Sequence, residues 1–217
     1  MYSAGLANST SREIQHMKVT QAQAQANRAH ILETASRLFR ERGFDGVGIA
    51  DLMAAAGFTH GGFYKHFESK ADLMAQASRC GFAQGAALAE GFDAQAFATY
   101  YLSRQHRDNR GEGCTMAALS ADAARQTQPT KEAFAAGVES MLQALASRDG
   151  PQAGGEGDSD SRARRIEVVT QAVGALVMSR ACPDDSPLAD EILEVCLAAI
   201  LSKLPAAHDA EPERPGE

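Results

Sequence analysis

The stretch Gly57–Leu73, GFTHGGFYKHFESKADL, gathers two adjacent glycines, four aromatic residues and two histidines into a turn and the start of a helix. Gly61 and Gly62 each cost about 1 kcal/mol against alanine inside a helix, so their position asks for a reason outside helix propensity. A residue without Cβ lets a base edge, a phosphate or another backbone come close. Around the glycines, Thr59, His60, Tyr64, Lys65 and His66 supply hydroxyl, imidazole and ammonium groups, whereas Phe58, Phe63 and Phe67 recur near the helical period and are expected to face a core. The plainer reading of the same residues is a glycine-rich turn with aromatic anchors.

Outward from this stretch the pattern is helical. From Asn27, the apolar positions Ile31, Leu32, Ala35, Leu38 and Phe39 mark an amphipathic helix that Gly43 ends. Ile49 to Ala55 form a short apolar helix, Gly57 makes the turn, and Thr59 stands as N-cap for the next short helix. Ser69 followed by Asp72 resembles a capping box, with Asp in place of Glu or Gln, opening a longer helix to about Gln84. Two short helices joined by a tight glycine turn, backed by a third, make a helix-turn-helix whose second member enters the DNA major groove. Lys70 follows the Ser69 cap, where helix amides favour an anion, and is assigned to a backbone phosphate. With Arg28 near the start of the first helix, the expected DNA-binding set is Arg28, Thr59, His60, Gly61, Gly62, Tyr64, Lys65, His66 and Lys70.

The whole chain, 217 residues with a formal charge of −7, argues against nucleic acid only if that charge is evenly spread. It is not: residues 1–75 hold eight Lys/Arg, seven Asp/Glu and four of the six histidines, and the acidic excess lies beyond them. The length suffices for a core without metal, cofactor or disulfide. Alanine-rich stretches, no Trp and no proline between Met1 and Gln128 predict an all-α protein. The cysteines Cys80, Cys114, Cys182 and Cys196 show no C-x-x-C pairing and no zinc-ligand spacing, as expected of reduced thiols in a cytoplasm. No apolar run approaches the ~20 residues of a membrane span, and no secretory signal is apparent.

Residues 1–26, polar with a Gln-Ala alternation, are expected to form a flexible arm, with Met17 a possible true start. Residues 27–75 form the DNA-binding domain and residues 76–204 a second, helical domain, with helices expected at about 93–106, 114–126, 130–148, 161–181 and 186–204. RDGPQAGGEGDSDS reads as an acidic linker, and residues 205–217 as a disordered tail.

GFDGVGIADLMAAAGFTHGGFYKHFESKADL resembles the N-terminal domain of the TetR family of bacterial transcriptional regulators, with Gly43, Phe44, Ala56, Gly57, Phe63, Tyr64, His66, Phe67, Ser69, Lys70 and Leu73 in register. The resemblance covers residues 27–75, and YYLSRQHRDNRGEGC is typical of some members. Gly48 departs from the pattern, standing where the family usually carries a capping Ser or Thr. The resemblance implies a homodimer on a palindromic operator, a small-molecule effector in the C-terminal bundle, and repression relieved by that effector. Phe97, Tyr100, Tyr101, Arg104, His106, Cys114, Met116, Phe134 and Met141 are the expected pocket residues, although stripes of this kind are also what cores look like. Two stripes face the expected partner: Ile166, Val169, Val173, Leu176 and Val177, then Leu188, Ile192, Leu193, Cys196, Leu197 and Ile200.

Cys114 follows GEG at an expected helix N-terminus, where the dipole favours a thiolate, so a redox or electrophile sensor stands beside the plainer reading of a small buried side chain. His60 and His66 lack a third metal ligand at useful spacing. The rival classes are a helical enzyme with His60 or His66 as general base, for which no nucleophile–base–orienter grouping exists in the sequence, and a module that binds only protein.

Overall fold

The computed structural model describes residues 6–89, 92–146 and 158–204. Those residues form nine α-helices and one 3₁₀ segment. The helices are α1 Leu6–Arg42, α2 Ile49–Ala55, α3 Lys70–Ala89, α4 Ala94–Tyr101, α5 Arg104–Asp108, α6 Thr115–Ala123, α7 Gln128–Ala146, α8 Asp158–Ala181 and α9 Pro187–Leu201, with the 3₁₀ segment at His60–Lys65.

The expected arm at 1–26 is corrected over most of its length, since α1 begins at Leu6. No Gly or Pro interrupts Leu6–Arg42, and Ala, Gln, Arg and Met are good helix formers, so a helix fixed by packing at its C-terminal half propagates towards the N-terminus at little cost per residue. Residues 21–26 are exposed, whereas Ile31, Ala35, Leu38 and Phe39 further along the helix are buried. Gly43 ends the helix in the left-handed region, φ 74°, with its N–H donated to the Phe39 carbonyl.

The expected single helix at 93–106 is two helices, because Ser103 ends one and starts the other. Its hydroxyl donates to the Tyr100 carbonyl and accepts from the His106 N–H, so one side chain closes α4 and caps α5. Pro129 lies inside the first turn of α7 rather than before it, where its missing N–H has no intrahelical partner to lose. The tail at 205–217 and the linker as far as residue 157 lie outside the described residues.

The main core runs from α1 through α2 and the 3₁₀ segment into α3, α6 and α7 without a break, joining Ile31, Phe39, Phe44, Phe63 and Leu73 to Met116, Leu119 and Phe134. α7 lies along α3 so closely that a Cβ on Gly137 would fall inside the Phe82 ring. A smaller cluster, Tyr101, Leu102, Ala175, Leu176, Leu193 and Ile200, holds α4 against α8 and α9.

Two arginines tie α5 to the end of α8. Arg107, 1% exposed, donates from Nε and Nη2 to the Ser179 carbonyl and from Nη2 to the Cys182 carbonyl. In return Arg180 donates to the His106 and Arg107 carbonyls. Each side chain thus bonds carbonyls at the end of the other's helix, where helical partners run out; the Ser179 carbonyl also accepts from the Cys182 N–H at 3.2 Å.

Candidate nucleic-acid interface

The turn between α2 and the 3₁₀ segment is a Schellman closure: Phe58 N–H reaches the Met53 carbonyl at 2.8 Å and Gly57 N–H the Ala54 carbonyl at 3.0 Å. Gly57, at φ 80°, adopts the left-handed backbone this closure requires. Thr59 and Gly48 occupy N-cap positions with extended backbone, and neither makes a side-chain cap bond.

The expected second short α-helix is a 3₁₀ turn, closed by Gly62 N–H to Thr59 carbonyl and His66 N–H to Phe63 carbonyl. Two glycines withhold the helix propensity an α-helix would need here, and burial of Phe63 and Phe67 fixes the tighter winding. Ser69 then accepts from the Asp72 N–H at 3.1 Å, and Asp72 reaches back to the Glu68 N–H at 3.2 Å, so the capping box forms one residue longer than usual.

Thr59, His60, Gly61, Tyr64 and Lys65 are exposed, with Tyr64 at 66%. Behind them Phe63 and Phe67 are buried and Phe58 half-buried, the division the spacing predicts. A Cβ on Gly61 would meet nothing within 4 Å, and one on Gly62 only ordinary contacts at 3.6 and 3.7 Å. Neither glycine has positive φ. The chain itself therefore has no use for the missing side chains, and the clearance lies on the outer side.

Two residues of the expected DNA-binding set are committed internally. Arg28 bonds Gln76 and lies over the Phe67 ring, 5.2 Å from its centroid; Gln76 in turn donates to Asp72. His66 is half-buried between Phe58 and Phe67, at centroid distances of 6.4 and 6.3 Å. Both brace the segment from behind. Lys70 opens α3 and is half-buried.

In the second domain two small cavities adjoin. One of about 70 Å³ is apolar, with Phe97, Tyr101, Met116, Met141, Val169 and Val173 in its wall. The other, about 40 Å³, shares Phe97, Tyr101, Met116 and Met141 and adds Tyr100, His106, Cys114 and Thr115. Two expected pocket residues lie elsewhere. Arg104 pairs at the surface with Asp108 and Asp190, and Phe134 packs edge-on against Phe82 at 5.3 Å inside the core.

His106 is held neutral. Burial depresses its pKa, the hydrogen bond to the Tyr101 carbonyl partly offsets this, and the Arg180 charge depresses it further. Nε2 accepts from the Cys114 N–H at 3.2 Å, which places the ring proton on Nδ1, 2.7 Å from the Tyr101 carbonyl. Cys114 is the N-cap residue of α6 and half-buried.

The stripes expected to face a partner divide. Val169, Val173 and Ile200 turn into the apolar cavity and Leu176 is fully buried, so these four belong to the chain's own core. Ile192 and Cys196 line an open groove of about 420 Å³ with Gly174, Met178, Leu188 and Val195, and Val177 is 43% exposed. Met178 at 60% and Val195 at 61% exposed were missed by the stripe reading; a helical repeat started from Thr170 rather than Ile166 picks out Thr170, Gly174 and Met178.

The α6 helix connects the two regions. Its N-terminal residues Thr115 and Met116 line the cavities, and Asp122 near its C-terminus accepts the Phe44 N–H at 3.0 Å, in the turn between α1 and α2. One turn before α6, the Gly111 carbonyl accepts from the buried Arg40 of α1 at 2.6 Å.

Residues 31–77 match the sequence signature of bacterial regulatory proteins of the tetR family. The chain is 40% identical over 57 residues to the HTH-type transcriptional regulator AcrR of Shigella flexneri, a match that spans 26% of each protein. The curated relatives are thus matched over about a quarter of their length. Among solved structures, a TetR-family regulator from Cytophaga hutchinsonii aligns over 83% of this chain and 96% of its own at TM-score 0.66 and 18% identity. AibR, solved with isovaleryl coenzyme A and operator DNA, aligns over 80% and 97% at TM-score 0.51 and 19% identity. The signature of the tetR family of bacterial regulatory proteins thus falls on the helix-turn-helix just described, and the fold of a TetR-family regulator is shared over most of the chain.

Proposed function

We propose that the protein is a homodimeric, sequence-specific DNA-binding transcriptional regulator, a repressor released from its operator by a small molecule held in the second domain. The observation that carries this reading is the outward clearance at Gly61, flanked by exposed Thr59, His60, Tyr64 and Lys65 on a segment whose other face is anchored by Phe63 and Phe67. A surface that reserves space its own fold does not use is suited to close approach by a duplex. The apolar groove on α8 and α9 supports dimerisation, because exposed apolar surface of this kind is rare on a protein that stays alone. Two-fold symmetry then sets two reading segments about 34–36 Å apart on a palindrome. Release follows if the effector favours a different spacing, and α6 offers a short path from cavity to reading head through Asp122 and Phe44.

The test is fluorescence anisotropy with duplexes taken from upstream of the protein's own gene. The account expects one segment to bind about 10³-fold or more above unrelated duplex, with affinity falling linearly in log salt. Equal affinity for every duplex contradicts it.

A further inference from the structure

The two adjoining cavities carry chemical information about the effector, and the inference rests on the regulator reading for that role. Their size comes first. At about 70 and about 40 Å³ they fall together below the ~150 Å³ of a core cavity that seats a benzene ring, so they limit the occupant to a molecule no larger than a single ring. The coenzyme A thioester in the AibR structure is far larger.

Charge comes second. Two guanidinium groups near the cavities, the buried Arg40 and the half-buried Arg180, are already committed: Arg180 to the His106 and Arg107 carbonyls, Arg40 to the Gly111 carbonyl, Ser36 and Gln84. Both ring nitrogens of His106 are occupied. No Lys or Arg is among the described residues that line either cavity, and an anion would meet the Glu112 carboxylate in the wall of the smaller one. A cation would be repelled by Arg40 and Arg180.

Hydrogen bonding comes third. Tyr101 stands in the wall common to both cavities, 8% exposed, and its hydroxyl makes no well-formed hydrogen bond; the Cys114 thiol beside it is only a weak donor and acceptor. The Thr115 hydroxyl, in the same smaller cavity, is buried and unpartnered too. Buried polar atoms are ordinarily paired, and two bare hydroxyls at one wall point to a ligand that pairs with them.

We infer that the effector is an uncharged molecule no larger than one ring, seated across the two adjoining cavities with a single hydroxyl or carbonyl group on Tyr101. Isothermal titration of the full-length protein without DNA, using phenol, toluene and benzoate at neutral pH, tests each part. Phenol is expected to bind at least tenfold more tightly than toluene or benzoate. Tyr101→Phe, which removes an unsatisfied hydroxyl and leaves the ring, is expected to bring phenol to the toluene level while toluene is unchanged. Ala172→Phe, filling the apolar cavity, is expected to abolish binding of phenol and toluene. Benzoate binding tightest overturns the charge argument, a phenol advantage that survives Tyr101→Phe overturns the anchor, and binding of none of the three, or binding that survives Ala172→Phe, overturns the site. Because the readout contains no DNA, a protein that binds phenol but no operator refutes the regulator reading alone, and one that binds operator but no probe refutes only this inference.

Discussion

Replacement of Arg107 by methionine is expected to lower folding stability by about 2–4 kcal/mol, measured by chemical denaturation. The guanidinium is 1% exposed and holds the Ser179 and Cys182 carbonyls at the end of α8, with its remaining bonds to Asp108 and Asp184. Burial opposes the charge, and the hydrogen bonds it donates to the two aspartates more than restore it. Methionine fills much of the volume but leaves the Cys182 carbonyl without this donor and the Ser179 carbonyl with only the Cys182 N–H of its three donors, at about 1–3 kcal/mol for each buried acceptor left unsatisfied. The aspartates are exposed, at 53% and 87% of their side chains, so losing an ion pair there matters less. Asp184→Asn is therefore expected to cost under about 1 kcal/mol. Equal losses for the two variants would assign the stabilisation to the ion pairs instead.

The second large effect falls on DNA. Tyr64→Ala is expected to weaken operator binding about a hundredfold, since a base-edge contact is worth about 1–3 kcal/mol and a dimer loses it twice. At 66% exposure the side chain adds little to the fold, although its edge-on contact with Phe63 at 5.1 Å goes with it. Lys65→Ala is expected to weaken binding to all duplexes alike and to flatten the salt dependence by about two ions per dimer. A Tyr64→Ala protein that is folded and binds as the parent does would remove the base contact.

The DNA-binding segment was legible in the sequence because its signals are local. The Schellman turn at Gly57, the Ser69–Asp72 cap and the inward phenylalanines each depend on residues within a few positions of one another. Arg28 and His66 were legible as polar residues at the right place, but their engagement with Phe67, Gln76 and Phe58 depends on how α1 crosses the segment, which no spacing states. The second domain was less legible. Val169 and Val173 satisfy a helical stripe equally well whether the stripe meets a partner or a cavity, and only the placement of α4 and α7 decides. Nothing in SRQHRDN marks Arg107 as buried, because its carbonyl acceptors lie more than seventy positions away in the chain. The start of α1 was missed for a different reason: the Gln-Ala run has no apolar stripe, yet it needs none while it extends a helix already fixed by packing.

The measurement that bears most directly on the account is the operator affinity of Gly61→Ala alongside its thermal stability. Nothing in the chain lies within 4 Å of the added Cβ, and alanine is the better helix former, so the fold is expected to hold or gain slightly. If the space at Gly61 is kept for a duplex, the methyl group enters a packed interface twice per dimer and affinity falls tenfold or more. A Gly61→Ala protein that is as stable as the parent and binds operator DNA equally well would contradict the claim that this clearance is where DNA docks.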